Sequence, residues 1–80
     1  MSNWNLNFLE DENFPNFEPA TIWINFYGKT KLFKEDFERI LHLFGSYPKS
    51  ELVMINLKKE DRKILKELFQ DFRRVKVLVK

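Results

Sequence analysis

From Thr21 onward, apolar residues recur first at every second position and then at every third or fourth, and the switches between these rhythms divide the chain into elements. Ile22, Ile24 and Phe26 alternate with Thr21, Trp23, Asn25 and Tyr27, which predicts a strand with two different faces, ended by Gly28. Phe33, Phe37, Ile40, Leu41 and Phe44 follow at helical spacing. Glu35 and Asp36 stand in the opening turn and Gly45 just past the last apolar position, so a helix is expected over Lys34 to Phe44. Leu52 to Leu57 reads as a second strand with Val53, Ile55 and Leu57 on the core side. Lys59 to Phe72 is expected as a second helix with the stripe Ile64, Leu65, Leu68, Phe69 and Phe72, and Val75, Val77 and Val79 as a last strand. Upstream, Trp4, Leu6 and Phe8 alternate with Asn3, Asn5 and Asn7, the period of a half-buried strand, while Glu10 to Pro19 carries two prolines and reads as an extended segment.

This order predicts an α/β fold over residues 20–80, preceded by an acidic, aromatic arm at residues 1–19. Crossovers between successive parallel strands are right-handed, so both helices should cover one face of a three- or four-stranded sheet, with Trp4 to Phe8 pairing antiparallel at an edge. The other face would then present Thr21, Trp23, Asn25, Tyr27, Leu52, Met54, Asn56, Lys76, Leu78 and Lys80. That surface is too apolar to meet water comfortably. No internal repeat breaks the pattern.

Composition narrows the chemistry. Eighty residues form one small domain, which buries about 60 to 65% of its unfolded surface and has little room for a deep cleft. Zero cysteines remove disulfides, thiolate zinc sites and thiol catalysis. With no signal-peptide layout and no apolar run of membrane length, a cytoplasmic, non-membrane protein is the expectation. His42 is the only histidine and lies opposite the helical stripe, without a carboxylate at ligand or catalytic spacing. Only Gly28 and Gly45 are available for a phosphate cradle, and Glu35, Asp36 and Glu38 stand where a helix start explains them. A non-enzymatic protein without cofactor or metal is therefore expected.

Charge is distributed unevenly. Glu10, Asp11, Glu12 and Glu18 stand in the first nineteen residues with no Lys or Arg, so a basic body carries an acidic start. Lys58, Lys59, Arg62, Lys63 and Lys66 crowd the polar side of the second helix, interrupted by Glu60, Asp61, Glu67 and Asp71, which reads as a solvated helix surface.

The uncovered sheet face is the candidate site. A contiguous apolar patch of this kind marks a protein interface, with Trp23, Tyr27, Met54 and Leu78 as partner-binding residues. Trp4, Phe14 and Phe17 act there either as their cover or as a second contact, and a homodimer through the open face or an edge strand belongs to the same reading. The alternative is single-stranded nucleic acid, with bases stacked on Trp23 and Tyr27 and phosphates held by Arg73, Arg74, Lys76 and Lys80, although the consensus of the common RNA-recognition sheet is absent. A further alternative is a small inhibitor or regulator whose acidic arm occupies a basic groove.

The segments TIWINF (Thr21 to Phe26), FERILHLFGSYPKSELVMINL (Phe37 to Leu57) and ILKELFQDFRRVKVLV (Ile64 to Val79) together resemble the small C-terminal domain of the bacterial replicative DNA polymerase III α subunit. The resemblance covers about three quarters of the chain and rests on apolar pattern. It departs from the family at Lys49, where glycine is usual, and in lacking the stretch that the family inserts before the last helix. It implies a non-catalytic docking domain that contacts another replisome subunit.

Overall fold

Among the described residues, alternating apolar positions give four short strands and helical stripes give two helices, in the order β1 (Asn3–Asn7), β2 (Thr21–Asn25), α1 (Lys34–Ser46), β3 (Glu51–Ile55), α2 (Lys59–Leu68) and β4 (Val75–Val77). The structure, a computed structural model, describes residues 2–9 and 15–78. The strands form one sheet in the order β1-β2-β3-β4, and every neighbouring pair is parallel. The expected antiparallel pairing of the first strand is therefore corrected. Ser2 explains the direction locally: its carbonyl accepts the Ala20 and Thr21 N–H groups at 2.8 and 3.4 Å, which anchors the start of β1 beside the start of β2. β1 also lies inside the region assigned to the N-terminal arm, so residues 3–7 belong to the sheet.

The core lies on one face. Leu6, Phe8, Ile22, Ile24, Phe26, Leu52 and Met54 meet Ile40, Leu43, Leu65 and Phe69 in a single apolar cluster, so α1 and α2 cover the same side of the sheet, as expected. Leu52 and Met54 are fully buried there, whereas Val53 and Ile55 lie on the opposite face, the reverse of the expected phase. The cause is a single residue. Asn56 adopts a left-handed backbone conformation, φ 61°, which asparagine tolerates better than most residues. The register aligns Ile24 with Met54 and Asn25 with Ile55, yet Phe26 and Leu57 are both core, so β3 holds one residue more than β2 before its next inward position. Counting back from Leu57 in twos, as strand periodicity requires, therefore selects the wrong side.

Helix ends also depart from the pattern. α1 runs through Gly45 to Ser46, because the Tyr47 N–H still bonds the Leu43 carbonyl at 3.2 Å and the ring of Tyr47 is buried. Arg74 then takes the role of a cap. Its guanidinium donates to the carbonyls of Tyr47 (2.9 Å), Ser50 (3.1 Å) and Phe44 (3.3 Å) and lies 3.9 Å from the centre of the Phe44 ring. At the other end of α1 the Asp36 carboxylate accepts the Phe33 N–H at 2.7 Å and pairs with Lys29 at 3.0 Å. α2 stops at Leu68, and Phe69 to Val75 descend through turns into β4.

Candidate functional site

Parallel register builds the uncovered face row by row. Asn5, Trp23, Val53 and Lys76 stand side by side across all four strands, and Asn7, Asn25 and Ile55 form the next row. Trp23 and Ile55 are half-buried. Val53 is only 4% exposed although it stands outside the helix-side core, so neighbours on its own face shield it. Asn5, Asn7, Trp23, Asn25 and Ile55 border a shallow depression of about 210 Å³ beside β1. At the other edge Lys76 pairs with Glu51 at 3.4 Å, which leaves the face close to neutral.

Asparagines organise the carboxyl ends of these strands. Asn25 Oδ1 accepts the Tyr27 N–H and an Asn56 Nδ2 hydrogen, both at 2.9 Å, and Asn7 Oδ1 accepts the Leu9 N–H at 3.2 Å. Each amide turns the chain out of the sheet by satisfying the backbone two residues on. Tyr27 is thereby carried past the end of β2 into a turn closed by Lys29 N–H to the Phe26 carbonyl, with Gly28 at φ 87° in the third position. Tyr27 is 75% exposed at the rim of the face, not on it.

The remaining site residues fall in several places. Met54 is removed from the partner-binding set: it is fully buried against the helices, because the extra residue at Asn56 reverses the phase of β3. Leu78 follows β4, hydrogen-bonded through its N–H to the Met54 carbonyl, and is 37% exposed. Trp4 packs on the helix side, edge-on to Tyr47 with ring centres 6.0 Å apart. Phe8, just after the same strand, packs on Phe26 with ring centres 4.5 Å apart and under Arg39. Neither covers the open face. The described part of the connection from β1 to β2 also lies elsewhere, since Pro15 and Pro19 offer their carbonyls to Tyr47 and Ser50, while Phe17 is exposed. Phe14 and Lys80 lie outside the described residues. Among the cations, Arg74 caps α1, Lys76 is paired with Glu51 and Arg73 is exposed.

Sequence periodicity missed a second apolar surface. Ile64, Leu68, Phe72 and Leu41, all expected in the core, are 48%, 48%, 43% and 48% exposed. Only Leu65 and Phe69 of the α2 stripe reach the sheet, because a helix of ten residues over a flat surface seats little more than one residue per turn. Both helices are amphipathic over a wider arc than the sheet can use, and that width, visible in the sequence, is the signal for this surface.

Among the described residues no cluster of His, Asp and Glu is arranged to hold a metal ion, and no helix is long and apolar enough to cross a membrane. No protein-family model, curated protein or solved structure matches this chain.

Proposed function

We propose that this chain is a non-enzymatic protein-interaction module that docks a partner on its uncovered sheet face, centred on Trp23 with Ile55 and Leu78 beside it. One observation carries the reading: the sheet is wholly parallel yet has helices on one face only. Parallel sheets are normally covered on both sides, since crossover connections supply helices for each. Among the described residues no element covers the other face, which has an aromatic centre, apolar neighbours and a rim of asparagine amides, the composition of an interface with few charges in its middle. A replication-associated partner is the specific form that the polymerase resemblance gives to this reading.

Its neutrality favours protein over nucleic acid. Phosphate binding needs several uncommitted cations beside the stacking ring, and here Lys76 is paired and Arg74 is occupied in a cap, which leaves Arg73 alone among the described candidates. Trp23→Ala is expected to weaken partner capture from the source cell extract about tenfold or more while costing less than about 2 kcal/mol in urea denaturation, because the residue is only partly buried. Salt-sensitive quenching of tryptophan fluorescence by single-stranded DNA or RNA, abolished in the same variant, would overturn the protein reading.

A further inference from the structure

The geometry points to a second docking site, on the opposite side of the molecule, for a partner helix whose apolar stripe is flanked by Lys or Arg. α1 and α2 follow parallel strands over one sheet face, so they run in the same direction. Arg39 of α1 stacks on Phe8, which follows β1, with its guanidinium 4.5 Å from the ring centre. Leu41 is two residues, about 200°, further round and therefore looks away from β1, toward α2. On a parallel neighbour the facing side lies one residue before the sheet-facing positions. Those positions in α2 are Leu65 and Phe69, and the residues preceding them are Ile64 and Leu68. Leu41, Ile64 and Leu68 thus line a groove between the helices, closed at one end where Phe44 meets Phe72 at 4.9 Å. Leu41, Ile64, Leu68 and Phe72 are each between 43% and 48% exposed, an apolar surface seldom left in water.

Charge decides the occupant. Glu60 and Glu67 stand one turn before and one turn after Ile64, Asp71 follows one turn after Glu67, and Lys63 lies further round the helix, on the side of these carboxylates away from Ile64. All three are exposed, and none has an ion-pair partner among the described residues. Glu60 is explained by the α2 N-terminus, but Glu67 and Asp71 lie at the helix end where the macrodipole disfavours carboxylates. A second copy docking α2 antiparallel to α2 would set Glu60 against Glu67, so self-association through this groove meets like-charge repulsion. A partner helix with Lys or Arg beside its apolar stripe meets attraction on the same rim. This is recognition of a helix in a groove, with anchors at i, i+3 or i+4 and i+7.

The test uses the full chain and two labelled helical peptides of about 18 residues with the same leucine stripe, one flanked by Lys and one by Glu, followed by fluorescence anisotropy. The Lys-flanked peptide is expected to bind at least about tenfold more tightly than the Glu-flanked one. Leu68→Glu should abolish binding and Glu60→Lys with Glu67→Lys should reverse the preference, while the melting curves of both variants stay close to that of the parent because these side chains are exposed. Trp23→Ala should leave peptide binding unchanged, which separates this site from the sheet face. Equal binding of the two peptides, binding of neither, binding that survives Leu68→Glu, or concentration-dependent dimerisation lost in Leu68→Glu would each overturn the proposal.

Discussion

Tyr47 joins three parts of the molecule through one side chain. Its hydroxyl donates to the Pro15 carbonyl at 2.8 Å, its ring meets Trp4, and its own carbonyl accepts from Arg74. Burial disfavours the phenolate, so the Tyr47 hydroxyl is held above its ordinary value of 10.0. The sign follows directly. A raised folded-state value favours the protonated form, so the stability this group contributes is full below about pH 10 and declines as pH rises through the folded value. The expected outcome is that the stability difference between the parent and Tyr47→Phe, measured by urea denaturation, is constant from pH 7 to 9 and shrinks toward pH 11. A difference that stays constant across that whole range would show the phenol to be solvated. Nothing in the local sequence marks Tyr47 as buried, since "YP" after a helix reads as a breaker; its burial depends on Trp4 and Pro15, more than thirty positions away.

At the scale of elements, β3 shows how much one residue controls. Leu52, Val53, Met54 and Ile55 form a continuous apolar run, which carries no alternation from which to choose a face. The left-handed Asn56 sets Leu57 and Met54 on the same side with two residues between them. Substitution separates the two phases. Met54→Ala, which empties a fully buried position, is expected to cost about 2 to 5 kcal/mol, while Ile55→Ala on the open face should cost less than half as much. Thermal or urea denaturation of the two variants measures this, and a larger loss for Ile55→Ala would restore the phase that periodicity alone suggests. The helices repeat the lesson in another form: helical spacing identifies a wide apolar arc, but the sheet's width decides that Leu65 and Phe69 are inside while Ile64 and Leu68 are out.

For the whole molecule, β1 is the test of integrity. Leu6 and Phe8 are 2% and 0% exposed, and burying each stabilises by about 1.5 to 3 kcal/mol. A chain of this length has a total stability of about 4 to 12 kcal/mol. Removing residues 1–9 is therefore expected to abolish cooperative thermal unfolding followed by circular dichroism, whereas a dispensable arm would leave the transition intact. The deletion would also bare the edge of β2, an invitation to aggregation.

The sequence by itself determined the kinds of element, their order and the α/β class, because each follows from a period of two or of 3.6 that a few neighbouring residues express. It also located Trp23 on the face away from the helices, since Thr21 and Asn25 mark that side of the strand as polar while Ile22, Ile24 and Phe26 mark the other as core. Tertiary structure decided the rest. The parallel direction of β1 rests on Ser2 meeting Ala20 and Thr21, the burial of Met54 on a one-residue excess measured only against β2, and the exposure of Ile64 and Leu68 on how far two helices spread over four strands. Each is a relation between segments far apart in the chain, and a periodicity read within one segment has no term for it.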